Sequence, residues 1–298
     1  MKPDQHGIDG ERSASSSELP DSRTGSSSPT SPRMTDNAKV VVITGASGGI
    51  GASVARRLAR DRMRLVIAAR RSNELRSVAD ESLKLGAPNV LFVPADVTDR
   101  EAVINVRDAA IAEFGGFDVW INNAGRGLTK QTLDLTDDDI DDMIAVNLKS
   151  ALYGMQAAMP HFIDRARGHL INVSSFLGRV PLATFRSAYS ASKAALNSLT
   201  ANLRMDMARY PDIHVSLLMP GVVGTDFAVN AQTPDELRPD LPGRSRAGPV
   251  QTPDEVADAI ASLIANPVAE LYTNPASAEL ARDYYADVAE FEKRVAPR

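Results

Sequence analysis

The chain has no cysteine, four histidines, one tryptophan and only 5% aromatic residues in a length of 298. Without cysteine there can be no disulfide, no thiolate nucleophile and no cysteine-held zinc. The histidines, His6, His161, His169 and His214, fall at no metal-ligand spacing, so no metal site is expected. No apolar run reaches the roughly 18 residues that a spanning helix needs, and no membrane association is expected. Positive charge is also scarce. Thirty-three Lys and Arg against 38 Asp and Glu leave a formal net charge of −5, which favours neither nucleic acid nor an anionic membrane surface. The missing cysteines fit a reducing compartment, and a cytoplasmic location is expected.

What remains is an ordinary globular composition, 43% hydrophobic and 24% charged. The first 37 residues stand apart. They hold nine Ser and four Pro, with Ile8 and Leu19 as their only branched aliphatics. Such a segment buries too little to offset its ordering entropy, so residues 1–37 are expected to be a disordered tail. It has neither the apolar centre of a signal peptide nor the Arg-rich amphipathic pattern of a transit peptide. Met34 stands just before the folded part and is a candidate translation start. The remainder suits one large α/β domain over 38–275.

The stretch VVVITGASGGIG, Val40 to Gly51, organises that domain. An apolar strand leads into a Gly-rich turn and then an amphipathic helix from Ile50. Glycines permit a sharp turn with the backbone close to another group. A helix start offers free N–H groups and a positive dipole, which suit a pyrophosphate. The spacing Gly45, Gly49, Gly51 differs from the common G-x-G-x-x-G, but the physics is the same. Further strands are expected at Arg64–Ala69, Asn89–Pro94, Asp118–Ile121, His169–Val173, Ile213–Met219 and 269–273. Helices are expected from Ser72, from Arg100 to Phe114, over 136–165, over 187–210 and over 254–265. This alternation predicts a Rossmann-type doubly wound parallel sheet in three layers. Residues 226–250, rich in Pro and Gly, follow a strand's C-terminal end and are expected to be a substrate lid. Leu280, Tyr284, Val288, Phe291 and Val295 recur at helical spacing, so 276–298 is expected to be a C-terminal helical extension.

Tyr189 and Lys193 lie four apart on a predicted helix and share a face. A phenol with a pKa of about 10 is a poor acid–base catalyst at neutral pH. A cation one turn away favours the phenolate, and the expectation is a lowered Tyr189 pKa. These two residues, TGASGGIG, Asn122-Asn123-Ala124-Gly125, Ser175 and Pro220-Gly221-Val222-Val223-Gly224-Thr225 occur in order, each at a strand end or on the following helix. The combination resembles the single-domain branch of the short-chain dehydrogenase/reductase family, from Lys39 to about Ala265.

The resemblance implies a nicotinamide cofactor and hydride transfer between it and a carbonyl or alcohol. Gly45, Gly49 and Gly51, with Ile50, would sit under the pyrophosphate, and Asp96 and Val97 beside the adenine. Asn123, Ala124 and Gly125 would pack beside the cofactor. Pro220, Gly221, Val223 and Thr225 would meet the nicotinamide amide. Tyr189 would be the general acid of carbonyl reduction, and Lys193 would lower its pKa and hold the nicotinamide ribose. Ser175, which opens the family's Ser-x-x-Gly step one residue farther from Tyr189 than is common, would orient the substrate oxygen in preference to Ser174. Asn147 would hold a water linking Lys193 to solvent. The second strand ends at Ala69 rather than at an acid, followed by Arg70 and Arg71. With Ser47, these arginines suit a 2′-phosphate, so the cofactor is expected to be NADP(H). The two long helices resemble those that pair across the family's dimer, and a homodimer is expected. The extension beyond 275 replaces the family's Thr-Gly-rich final strand and weighs against a tetramer. Two other readings are a cofactor-sensing regulator without catalysis, which predicts loss of the Tyr or Lys that are both present here, and a lyase or epimerase using the same Tyr and cofactor.

Overall fold

The first apolar run forms strand β1, Val40–Thr44, buried along its whole length. Both faces of this strand are covered, which is why it reads as a continuous apolar run rather than an alternating one. The computed structural model describes residues 38–225 and 249–296. The expected tail 1–37, the Met34 start and most of the expected lid lie outside these described residues.

Strands β2 (Arg64–Ala69), β3 (Val90–Pro94), β4 (Val119–Asn122), β5 (Gly168–Val173), β6 (Ile213–Met219) and β7 (Glu270–Tyr272) join β1 in a seven-stranded sheet of order β3-β2-β1-β4-β5-β6-β7. Every pairing is parallel, with Val42 flanked by Val66 on one side and Trp120 on the other.

Successive strand residues point to opposite faces, and each face has its own core. Val41, Ile43, Leu65 and Ile67 pack against helices α1 (Gly49–Arg60), α2 (Ser72–Lys84) and α7 (Pro253–Ala265) through Leu58, Leu75 and Ile260. Val40, Val42, Val66 and Trp120 pack against α3 (Arg100–Phe114), α5 (Ser150–Asp164) and α6 (Ser187–Asp206) through Val106, Phe162 and Leu196. This is a three-layer, Rossmann-like α/β fold. The strand order reverses between β1 and β4, and the crevice outside their carboxyl ends is where such sheets bind ligands.

Local signals account for most helix ends. Gly115, at φ +74, caps α3 in the left-handed conformation. Thr136 and Asp139 form a reciprocal capping box at the start of α4 (Asp137–Ile144). Helix α2 begins at Ser72, with Arg71 in the N-cap position. Helix α6 stops at Asp206, short of Tyr210. Tyr210 precedes Pro211, which disfavours helical backbone there.

The helix expected over 136–165 is interrupted. Between α4 and α5 lies a π-helical turn, Ala145–Lys149. Ile140 is 40% exposed, while Met143, Asn147 and Ala151 are buried. Polar partners of Asn147 draw this turn inward, as described below. The C-terminal periodicity also resolves into two helices, α8 (Ala276–Ala286) and α9 (Val288–Val295), separated by extended Asp287. Ala281 and Phe291 pack on Phe176 and Val180 of the loop after β5.

Candidate active site

The turn after β1 is built so that backbone can pass backbone. Gly45 has φ +70, and a Cβ there would lie 2.7 Å from the Ala124 Cα. A Cβ on Gly51 would lie 2.5 Å from both the Asn123 side-chain nitrogen and the Gly45 carbonyl oxygen. Asn123 fastens the two strand ends, donating from Nδ2 to the carbonyls of Thr44 (2.9 Å) and Gly45 (3.3 Å). The Thr44 hydroxyl accepts from the backbone N–H groups of Asn123 and Ala124 at 3.1 and 3.2 Å. No side chain caps the start of α1 at Gly48, so its first N–H groups remain available to an anion. This glycine cradle and uncapped helix start fit the pyrophosphate of a dinucleotide.

The end of β2 meets the same turn. Arg71 donates from Nε to the Ser47 hydroxyl and from a terminal nitrogen to the Ser47 carbonyl, both at 3.3 Å. Arg70 lies 3.9 Å from Asp96, and both side chains are largely open to solvent. Burial works to raise the Asp96 carboxyl, but hydrogen bonds from the Thr98 backbone and hydroxyl and the charge of Arg70 carry it below its ordinary value. Of the two arginines, Arg71 reaches Ser47 and Arg70 faces Asp96.

The loop after β5 separates the neighbouring serines. Ser174 is tied into the core, donating to Asn197 Oδ1 at 2.5 Å and to the Lys193 carbonyl at 3.3 Å. Ser175 accepts from the Leu177 N–H at 3.2 Å and hydrogen-bonds the Tyr189 hydroxyl. Gly178 completes the step because a Cβ there would lie 2.7 Å from the Lys193 carbonyl carbon, so only glycine lets this loop lie against α6.

Tyr189 and Lys193 are both buried on α6, with 8% and 3% exposure. Lys193 donates from Nζ to the Val173 carbonyl at 3.0 Å. Burial pushes its ammonium down to about 8. Burial also pushes the Tyr189 hydroxyl up, against the opposing pull of the Ser175 hydrogen bond and the Arg186 charge. The net direction is therefore opposite to the expected lowering. Loss of water from the phenolate outweighs the local charges, and the Lys193 ammonium lies 5.9 Å from the tyrosine ring centroid.

Asn147 lies behind Gly125, accepting from the Arg126 N–H and donating to the Arg126 carbonyl, both at 3.0 Å, and donating to the Ser192 hydroxyl at 3.1 Å. Its oxygen and the Lys193 Nζ are both near neighbours of Gly125, at 3.1 and 3.4 Å from where a Cβ would project.

These groups converge on one cleft of about 690 Å³. The expected residues of the Gly turn, the ends of β2, β3, β4 and β5, α6 and the 220–225 segment all line it except Gly51 and Asn147, which sit in the layer behind. The segment after β6 closes over the turn, with Thr225 3.6 Å from the position of a Gly49 Cβ. Sequence reading misses Arg186 on this wall, although its position three residues before Tyr189 places both at the start of α6. Among the described residues, no cluster of three or more His, Asp or Glu could hold a metal, and no helix is long and apolar enough to cross a membrane.

Residues 39–236 match the family model described as short chain dehydrogenase. An uncharacterized oxidoreductase of Staphylococcus aureus (strain N315) is 33% identical over 229 residues, 77% of this chain and 92% of that protein. Among solved structures, the alcohol dehydrogenase of the archaeon Thermococcus sibiricus complexed with 5-hydroxy-NADP is similar, with 30% identity and a TM-score of 0.68, covering 79% of this chain and 95% of that one. A short chain dehydrogenase/reductase of Burkholderia phymatum in complex with NAD has 27% identity and a TM-score of 0.76, covering 85% and 95%.

Proposed function

The chain belongs to the short chain dehydrogenase family and is an oxidoreductase acting on CH–OH groups with NAD(P), and from that premise we propose that it is an NADP(H)-dependent carbonyl reductase or secondary-alcohol dehydrogenase with Tyr189 as its acid–base. The observation that carries this reading is the meeting of Ser175, Tyr189 and Lys193 on one wall of the cleft, with Ser175 hydrogen-bonded to the phenol. The dinucleotide supplies hydride chemistry when bound. Gly45, Gly49, Gly51 and the start of α1 would hold its pyrophosphate, Asp96 and Val97 its adenine side, and residues 220–225 its nicotinamide side.

In the direction of reduction, Tyr189 keeps its proton at neutral pH because burial raises its pKa, and it can hand that proton to the developing alkoxide. Ser175 orients the reacting oxygen through its hydroxyl. Lys193 is mostly protonated below its pKa of about 8 and stabilises the phenolate that the proton transfer leaves behind. Asn147, behind Gly125 and beside Lys193, would hold the water through which Tyr189 regains its proton. The same reading includes a cytoplasmic homodimer paired through α4–α5 and α6.

The preference for NADP(H) rests on Ala69, Arg71 and Ser47. No carboxylate stands at the end of β2 to repel a 2′-phosphate. Arg71, already bonded to Ser47, presents a forked donor beside the Gly turn. The test is kcat/KM for NADPH and NADH across a panel of ketones, aldehydes and quinones, on wild type and on Ala69→Asp/Arg71→Leu. Wild type is expected to prefer NADPH and the double variant to lose that preference. A wild type that prefers NADH, or a double variant with unchanged preference, would remove Arg71 from the cofactor site.

A further inference from the structure

Among the described residues the cleft wall carries five cations, and four of them are engaged. Arg70 faces Asp96, Arg71 bonds Ser47, Arg126 pairs with Asp142 at 2.8 Å, and Lys193 donates to Val173. The fifth is Arg186. It is 8% exposed, yet it is part of the cleft wall. Among the described residues, no hydrogen bond or ion pair holds its guanidinium, and the one titratable group that acts on it is the Tyr189 hydroxyl. A guanidinium on a cleft wall with no carboxylate partner among the described residues lacks the pairing that such a half-desolvated charge ordinarily has. Burial accordingly lowers its pKa from the ordinary value, although an arginine remains protonated at neutral pH.

The backbone holds Arg186 firmly. Its N–H donates to Ala183 at 2.9 Å, its carbonyl accepts from Ser190 at 2.8 Å, and it bridges to Lys130. It occupies the N-cap position of α6, three residues before Tyr189. Around it the wall is apolar, with Leu177, Leu182, Ala183 and Phe185.

We propose that Arg186 is a specificity residue that binds a carboxylate on the substrate, so that the enzyme acts on carbonyl or hydroxy compounds that carry an acid group on an apolar body. This rests on the reading of Tyr189 as the group that meets the reacting oxygen. A carboxylate matches the planar fork of a guanidinium in two parallel hydrogen bonds. It would supply the partner that the described residues do not provide, within one helical turn of the tyrosine.

The test uses 4-formylbenzoate and its neutral methyl ester, titrated by calorimetry into the full-length protein with and without NADP⁺, alongside NADPH-dependent reduction of each. Three proteins are compared: wild type, Arg186→Gln and Arg186→Lys. Wild type is expected to bind the acid over the ester by roughly 10- to 100-fold, the range for charge-assisted hydrogen bonds. Arg186→Gln is expected to bring that ratio close to one, and Arg186→Lys to keep part of it. The lysine variant guards against misreading a folding defect, since both substitutions disturb packing while only one removes charge. A wild type that binds the ester as well as the acid, or binds neither, overturns the assignment. So does an Arg186→Gln variant that loses reduction of both probes by the same factor with a displaced pH profile, which would make Arg186 a modulator of Tyr189 instead. Arg186-dependent binding of the acid without any NADPH oxidation would sink the reductase reading and leave the carboxylate site. NADPH oxidation without acid selectivity would do the reverse.

Discussion

At the scale of single residues, the two serines after β5 show how contacts separate equal chemistry. Ser174 is held by Asn197 and the Lys193 carbonyl, while Ser175 is turned to Tyr189. Ser175→Ala is expected to lower kcat by roughly 100-fold with little change in melting temperature, because it removes one positioned hydrogen bond to the reacting oxygen. Ser174→Ala is expected to do the opposite, lowering stability by about 1–2 kcal/mol through the orphaned Asn197 while turnover holds within a few-fold. Steady-state kinetics and thermal melts on both variants check this, and a larger kinetic loss at Ser174 would reverse the assignment. The glycines, the Tyr189–Lys193 spacing and the Ala69–Arg71 step were legible in the sequence because each depends on local geometry. The rise in the Tyr189 pKa was not, since burial is set by the layers packed around α6. Arg186 was missed for the same reason. That it has no partner among the described residues depends on what the fold brings near, and spacing alone does not carry it.

At the scale of elements, the strands and their order of appearance follow from apolar runs bounded by turns, and the sequence reading places them within a residue or so. The long helix over 136–165 is where periodicity misleads. The helical spacing runs on unbroken and puts Asn147 on the apolar face, where it is buried, but its partners on the loop after β4 and on α6 accompany a π-helical turn that interrupts the helix. No pattern of hydrophobic residues announces a turn held by a polar one. The pairing of β5 with β6 has a measurable consequence. His169 is buried between strands, with Nε2 2.8 Å from the Ser216 hydroxyl and Nδ1 without a partner. Burial, then the neighbouring His214 and Lys39, push its pKa from 6.5 to about 3. The unfolded chain therefore takes up a proton below about pH 6.5 that the folded chain refuses until about pH 3. The stability this confers is complete above that window and is lost as pH falls through it. Melting temperature is expected to drop between about pH 7 and about pH 4, and His169→Gln to flatten that slope. An unchanged slope in the variant would show that other groups carry the acid sensitivity.

At the scale of the whole molecule, the sheet reverses its strand order between β1 and β4, and that reversal opens the crevice lined by the segments at the carboxyl ends of β1 to β6 and by the first turns of α1 and α6. The two cores, one on each face, fix the strand ends that frame this crevice. The C-terminal helices add a third cluster against Phe176 and Val180, supporting the loop that presents Ser175. The central claim is that this frame exists to bring a buried phenol to a carbonyl oxygen beside a nicotinamide. Tyr189→Phe tests it most directly, with NADPH oxidation and calorimetric NADP⁺ binding measured on the same preparation. Removing only the hydroxyl is expected to abolish turnover, by at least about 100-fold, while leaving the dissociation constant for NADP⁺ within a few-fold of wild type. Turnover within a few-fold of wild type would contradict the account, because the proton would then come from a group other than Tyr189.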